Sequence, residues 1–157
     1  MKYFLLLLGM TITIYATAQF PDILIYKGKT EHIFTNPLEQ YLKQNQLDNK
    51  KIFKPSCSAC WRGYIATWEI RDRYLYLVKL EDGNCGDNPK EIPLRRVFPK
   101  LKSKSIKALW YSGKIRVPQG KIVQYFHMGY ASKYEKDLFL LFRDGKLLEE
   151  KVVDNRK

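Results

Sequence analysis

The chain has 157 residues and a formal net charge of +12, and 14% of its residues are aromatic. This aromatic content excludes a disordered chain, and the length provides for one domain without requiring a second. Abundant aromatic residues with a hydrophobic fraction of 45% favour strands over helices.

Residues 1–18 have the composition of a secretory signal peptide. Lys2 is followed by an apolar run that ends at Ala16-Thr17-Ala18, so a charged region, a hydrophobic region and an A-x-A cleavage site stand in order. The apolar run is too short for a bilayer span, which needs about 20 residues. We therefore predict that residues 19–157 form a single exported domain, in the periplasm or the extracellular medium. The alternative interpretation of the leader is a buried N-terminal strand or helix.

The predicted export changes which partners the positive charge indicates. A basic chain often binds nucleic acid, but an exported chain meets lipid headgroups, acidic glycans and other proteins instead. We expect no nucleic-acid partner, no transmembrane segment after cleavage, and an envelope protein or an anionic glycan as the candidate partner. The alternative is solvated surface charge that keeps the domain soluble without any partner.

One helix is predicted near the start of the exported domain. Asn36 provides an N-cap, Pro37 occupies the first helical position, and Glu39 stands where a capping box requires an acidic residue. These signals predict a short helix over residues 37–46.

Short segments rich in β-branched and aromatic residues predict about eight strands. They lie among residues 22–26, 30–35, 61–70, 74–80, 106–110, 114–117, 121–127, 137–142 and 146–153. Asp144-Gly145 between the last two segments is a strong hairpin signal. The predicted fold is mainly β (α+β): a compact antiparallel β-sandwich or partly open barrel with one short N-terminal helix.

The most basic part of the chain is residues 90–107, where lysines and arginines alternate with apolar residues. Pro93 and Pro99 exclude one long helix in this segment. The spacing of its apolar residues is otherwise ambiguous between helix and strand.

The three cysteines are Cys57, Cys60 and Cys85. An oxidising compartment favours a disulfide, and the odd count leaves one thiol over. If residues 71–74 connect two hairpin strands, Cys60 faces Cys85, so this pair is the preferred disulfide; Cys57 is then free, or an alternative partner of either cysteine.

Other cysteine chemistry is less well supported. A redox-active C-x-x-C motif at Cys57 and Cys60 should open a helix, whereas here it precedes a predicted strand. A zinc site built from the three cysteines and His127 is disfavoured by an oxidising compartment. We expect no metal and no cofactor.

Two sets of residues are candidates for a functional site. His127 lies close in sequence to Glu135 and Asp137, which together could form a hydrolytic site; the alternative is a histidine that only hydrogen-bonds its neighbours. A second set, Arg62, Trp110, Tyr111, Arg116 and Tyr130, would form a basic, aromatic binding surface, although core packing explains most aromatic residues first.

Segments 36–39, 60–70, 127–130 and 134–138 resemble small secreted proteins of Bacteroidetes-type bacteria that carry no assigned activity. The resemblance spans most of the exported domain. It implies export and a single-domain protein, and it supplies no catalytic residues.

These observations lead to two functional hypotheses. The first is an exported, non-enzymatic domain that binds a protein, a glycan or an envelope component through a basic, aromatic surface. The second is a small exported enzyme, either a hydrolase around His127 or a thiol oxidoreductase at Cys57 and Cys60.

Overall fold

The computed structural model describes residues 19–55, 57–86, 88–127 and 129–156. The predicted signal peptide, residues 1–18, lies outside the described residues. Within the described ranges, no helix is both long and apolar enough to cross a bilayer.

The described chain is built mainly of strands, as its composition predicts. The strands are β1 (Asp22–Tyr26), β2 (Lys29–Ile33), β3 (Tyr64–Arg71), β4 (Tyr74–Asp82), β5 (Ile106–Lys107), β6 (Gly113–Gln124), β7 (Lys133–Arg143) and β8 (Lys146–Asp154). The helices are α1 (Pro37–Gln44) and α2 (Asn49–Ile52), with short 3-10 turns at Ser58–Cys60 and Leu94–Arg96.

The strands form one curled sheet in the order β2-β1-β3-β4-β8-β7-β6, with β5 added beside β4. β4 and β8 pair only at Tyr74 and Lys146, so this junction divides the sheet into two halves. At the opposite side the sheet edges meet, because the Phe34 N–H donates to the Arg116 carbonyl over 2.8 Å. The predicted mainly β fold, a partly open barrel or sandwich, is therefore confirmed.

One strand pairing differs from the predicted antiparallel sheet. β1 pairs with β2 in the antiparallel sense but with β3 in the parallel sense. This arrangement is possible because β2, α1, α2 and the 3-10 turn at Ser58–Cys60 lie between β1 and β3, which gives the long connection that a parallel pair requires.

A single buried cluster joins both halves of the sheet. Trp68 and Leu77 from one half and Ile115, Leu140 and Phe142 from the other are at most 2% exposed and belong to this cluster. Helix α1 adds its own apolar side chains to the same core. The two halves therefore bury one another, as in other layered β folds.

Helix α1 begins at Pro37 as predicted, but its capping differs. The Asn36 side chain does not cap the helix and instead donates to the Tyr130 hydroxyl over 3.2 Å. Glu39 accepts from the Tyr64 hydroxyl over 2.6 Å rather than completing a capping box. The predicted capping box is therefore wrong, because the buried Tyr64 hydroxyl needs an acceptor that this carboxylate supplies.

Two further elements differ from the sequence predictions. Helix α2 is absent from them; it covers Asn49–Ile52, with Asp48 accepting from the Lys50 N–H over 3.0 Å as its N-cap. The two strands predicted at 114–117 and 121–127 are one strand, β6, with register shifts near residues 119–124. β6 tolerates Pro118 because it is an edge strand of the sheet.

Candidate functional site

The disulfide joins Cys57 to Cys85, and Cys60 is a free, buried thiol. The preferred pairing of Cys60 with Cys85 is therefore wrong, and the alternative partner Cys57 is the one bridged. One reason is that β3 begins only at Tyr64, since Cys60 lies in a 3-10 turn. A second reason is a register shift at Thr67 in the β3–β4 pair, which places Tyr64 opposite Asp82 and offsets the whole open end of the hairpin.

Cys60 is enclosed by the backbone of its neighbours. Its thiol donates to the Tyr64 carbonyl over 3.2 Å, and a Cβ added at Gly83 would lie 2.3 Å from its sulfur. Burial raises the pKa of the Cys60 thiol. With Cys57 bridged to Cys85, the two cysteines of the C-x-x-C motif do not form a redox pair in this structure.

Arg62, which was a candidate binding residue, is buried and paired. The residue is 2% exposed, and its guanidinium donates to Asp22 over 3.2 Å. The Asp22 carboxylate also accepts from the Ala66 N–H and from the Trp68 indole, over 3.2 and 3.1 Å. Burial raises the pKa of Asp22, while Arg62 opposes that rise by stabilising the carboxylate.

Tyr130 connects this buried pair to the second predicted arginine. Its hydroxyl accepts from Arg62 over 3.1 Å and donates to the Phe20 carbonyl over 2.9 Å. Its own carbonyl accepts from Arg116 over 2.7 Å. Three of the predicted binding residues, Arg62, Arg116 and Tyr130, therefore meet in one polar cluster.

The charge of Arg116 is neutralised inside that cluster. Its guanidinium donates to both carboxylate oxygens of Asp137, over 2.8 and 3.2 Å. It also donates to the Ser132 carbonyl over 2.8 Å. Because both arginines are paired with aspartates, the cluster anchors the segment between β6 and β7 and does not present free cations to a ligand.

The candidate hydrolytic residues do not come together. His127 is exposed, and its ring meets the Tyr125 ring edge-on, with centroids 4.8 Å apart. Asp137 is occupied by Arg116 and by the Asn155 amide, and Glu135 accepts from the Lys121 N–H over 3.2 Å. Within the described ranges, His127 forms no ion pair, and no group of three His, Cys, Asp or Glu residues is arranged to hold a metal ion.

The two aromatic residues predicted at an exposed turn have different environments. Tyr111 is 5% exposed and donates its hydroxyl to the Lys114 carbonyl over 3.0 Å, so it is a core residue rather than a binding residue. Trp110 is half-buried, and its ring stacks with Phe98 at 5.5 Å between centroids and packs against Tyr41 at 4.9 Å. Of this predicted pair, Trp110 alone contacts residues that line an open surface, Tyr41 and Phe98.

That surface is a groove between α1 and the basic segment, which we call the lysine groove. Its volume is about 730 Å³. It is lined by Tyr41, Phe98, Pro99, Lys100, Leu101, Lys102, Ser103 and Ile106. The size falls in the range of about 300–1,000 Å³ that small-molecule sites occupy.

The floor of the lysine groove is apolar and its rim is cationic. Phe98 is 5% exposed, whereas Lys100 and Lys102 are exposed. Neither lysine forms an ion pair with any described carboxylate. The surrounding sequence contributes to this charge, because residues 92–134 contain ten lysines and arginines and no aspartate or glutamate.

Hydrogen bonds fix the loop that forms the rim. The Leu101 N–H donates to the Phe98 carbonyl over 3.0 Å, and the Leu101 carbonyl accepts from the Arg95 guanidinium over 3.1 Å. The Ser103 hydroxyl donates to the Ser105 carbonyl, and Ile106 is held in β5 opposite Leu77. The groove is therefore a formed feature of the fold.

A second, smaller depression lies beside the polar cluster. It has a volume of about 310 Å³, and Phe34, Tyr125 and Tyr134 are among its lining residues, together with His32 and Glu31. Its carboxylate and imidazole give it mixed polarity, so it lacks the consistent charge of the lysine groove.

Sequence reasoning located the basic segment and Trp110 but missed Tyr41, Leu101 and Ile106 as groove residues. Their only signal in the sequence is apolar character, which core residues share.

Comparison of the chain with protein-family models, with the curated proteins and with the solved structures found no match.

Proposed function

We propose that this protein is an exported, non-enzymatic binding domain that holds an anionic envelope component in the lysine groove. The observation that carries the proposal is the combination of an apolar, aromatic floor with Lys100 and Lys102, which have no carboxylate partner among the described residues. An uncompensated cationic rim attracts anions, and the partly exposed apolar side chains of Tyr41, Leu101 and Ile106 gain free energy when they are covered.

Export is supported by two independent features. The leader at residues 1–18 has the order of regions of a signal peptide. The Cys57–Cys85 disulfide fits an oxidising compartment, where such bonds persist. In that compartment an envelope protein or an anionic glycan is an available anionic partner, whereas nucleic acid is not the expected one.

The polar cluster supports this assignment by exclusion. Arg62 and Arg116 are already paired with Asp22 and Asp137, so these cations are used within the fold. The basic, aromatic surface is therefore assigned to Trp110 and its groove neighbours rather than to Arg62 or Arg116. The hydrolase alternative gains no support, since His127 contacts the Tyr125 ring and forms no ion pair with a carboxylate among the described residues.

The proposal is tested by binding to polymers of defined charge. Fluorescence anisotropy with labelled poly-L-glutamate, alginate and neutral dextran should show binding to at least one anionic polymer and none to dextran. A variant with Lys100→Gln and Lys102→Gln should bind the anionic polymer at least about fivefold more weakly, because two exposed charge contacts are lost.

The matched control removes two lysines elsewhere. Lys29 and Lys133 are exposed, lie on β2 and β7, and do not line the groove. A variant with Lys29→Gln and Lys133→Gln has the same net charge as the groove variant and should retain wild-type affinity. Equal weakening in both variants, or no binding to any anionic polymer, would contradict the proposal.

A further inference from the structure

The donor and acceptor groups of the lysine groove restrict the chemistry of its ligand. The charged side chains of the lining, Lys100 and Lys102, are hydrogen-bond donors only. The remaining polar side chains are the hydroxyls of Tyr41 and Ser103, and the Ser103 hydroxyl already donates to Ser105. A ligand in this groove is therefore offered donors and apolar contact, with few acceptors.

This composition favours an amphiphile over a polypeptide or a polysaccharide as the ligand that covers the apolar floor, whereas a polyanion needs only the lysine rim. Polypeptides and polysaccharides carry many N–H or O–H donors, and each donor buried without an acceptor costs free energy. The nearby backbone carbonyls of Phe98 and Leu101 already accept hydrogen bonds from the loop itself. A ligand with one anionic group and an apolar remainder needs only cationic donors and apolar contact, which the groove supplies.

We infer that the lysine groove binds a single anionic amphiphile, a fatty-acid carboxylate, with its head on Lys100 and Lys102 and its chain over Phe98, Leu101 and Ile106. The inference rests on the proposed function, because it assigns a ligand to the same groove. Charge complementarity determines the head group, and the aromatic and aliphatic floor determines the chain. A monomer is favoured over a bilayer because Phe98 is only 5% exposed between exposed lysines, so a single chain reaches it better than a flat surface does.

A chain-length series measures contact with the floor. Octanoate, decanoate and dodecanoate are titrated by calorimetry at pH 8, each below its critical micelle concentration. Affinity should increase by about two- to fourfold for each added methylene, the upper value being that expected for full burial of the group. Acetate should not bind, and dodecyl maltoside, with the same chain and a neutral head, should bind at least about tenfold more weakly than dodecanoate.

The position of the ligand is reported by Trp110. Its indole N–H donates to the Pro37 carbonyl over 3.3 Å, and its ring stacks on Phe98 in the groove. Dodecanoate should shift the Trp110 indole signal in a proton–nitrogen NMR spectrum and leave the signals of Trp61 and Trp68 in place. The signal is assigned by its loss in Trp110→Phe.

Two variants separate the head contact from the chain contact. Lys100→Gln with Lys102→Gln should reduce dodecanoate affinity to that of dodecyl maltoside. Leu101→Gln should weaken dodecanoate about tenfold while leaving poly-L-glutamate binding unchanged, because only the acyl chain needs the apolar floor. Circular dichroism and the unperturbed NMR signals of Trp61 and Trp68 show that each variant is folded.

Failure of this inference is distinguishable from failure of the proposed function. If poly-L-glutamate binds at the groove and dodecanoate does not, the fatty-acid inference is overturned and the binding domain remains. If phosphatidylglycerol vesicles bind while monomeric dodecanoate does not, the inference is also overturned, in favour of a bilayer surface. If none of these anions shifts the Trp110 signal, both proposals fail.

Discussion

Arg62 and Asp22 illustrate how the environment of a residue determines its role. Both side chains are at most 1% exposed, and the carboxylate accepts three hydrogen bonds from groups around it. A buried ion pair contributes little relative to an apolar core, but removing one partner leaves a charge without solvation. The pair should therefore be indispensable to folding although it binds no ligand.

Replacement of Arg62 by Met should lower the free energy of unfolding by about 3–5 kcal/mol at pH 7, because Asp22 is then buried without a cation. The loss is measured by urea denaturation. Burial raises the pKa of Asp22, and removing Arg62 raises it further. A raised pKa means that the folded state favours the protonated form, so the loss should shrink as the pH falls through the pKa of Asp22.

The same substitution at a solvated arginine is the comparison for this prediction. Arg156 is exposed and pairs with Asp154 at the surface. Arg156→Met should change the free energy of unfolding by less than about 1 kcal/mol. A similarly small loss in Arg62→Met, or a loss independent of pH, would contradict the buried-pair interpretation.

Cys60 gives a second prediction at the level of a single residue. The unreduced, denatured chain should expose one thiol, and the native chain should react slowly with the same reagent, because Cys60 is buried and its pKa is raised. Thiol titration with and without denaturant measures both quantities.

Peptide mapping of the alkylated, unreduced protein identifies the free thiol. The label should be found on Cys60, and the peptides of Cys57 and Cys85 should remain joined. A Cys60→Ser variant should show no thiol even when denatured. Label on Cys57 instead would restore the pairing of Cys60 with Cys85 that hairpin register alone predicts.

The β1–β2 turn and the β7–β8 turn have the same backbone conformation at glycine, but the packing around the two turns differs. Gly28 and Gly145 both have φ of +73°, as two-residue hairpin turns require. A Cβ at Gly28 would meet nothing within 4 Å, whereas a Cβ at Gly145 would lie 2.6 Å from the Ala108 carbonyl oxygen. The β7–β8 turn is thus enclosed by a neighbouring segment, while the β1–β2 turn is open.

This contrast gives a matched pair of substitutions. Gly28→Ala should lower the free energy of unfolding by about 1–2 kcal/mol, the usual cost of a left-handed backbone for an L-residue. Gly145→Ala should cost at least about 1 kcal/mol more, since the backbone of Ala108 must also move. Urea denaturation of the two variants checks the difference, and equal losses would show that the turn region adapts freely.

The disulfide affects the stability of the entire domain, because it closes a long part of the chain. Cys57 and Cys85 are separated by 28 residues and join the two ends of the β3–β4 hairpin. Such a crosslink reduces the conformational entropy of the unfolded chain. Its effect is therefore on global stability, although the bond itself lies at one end of the sheet.

A variant with Cys57→Ser and Cys85→Ser should be less stable than wild type by about 3–4 kcal/mol, as expected for a closed loop of this length. Thermal and urea unfolding measure the loss. Cys60→Ser serves as the control, because it removes a sulfur without opening the loop. Reductant should destabilise the wild type by a similar amount and leave the double variant unchanged; no response of the wild type would argue against the bridge.

Features that depend on near neighbours in the chain could be predicted from the sequence. Segments rich in β-branched and aromatic residues predicted β1, β4 and β8, Pro37 predicted where α1 begins, and Asp144-Gly145 predicted the final hairpin. These signals are reliable because each is decided by the backbone preferences of a few consecutive residues. The basic segment at residues 90–107 was also evident from composition.

Contacts between residues that are distant in the chain could be known only from the folded structure. It placed Arg62 beside Asp22, bridged Cys57 rather than Cys60, separated His127 from Asp137, and set Leu101 next to Tyr41. These outcomes depend on a register shift within β4, on a parallel pairing of β1 with β3, and on the closure of the sheet at Arg116. No local pattern encodes them, because they arise from burying side chains of both halves of the sheet in one core.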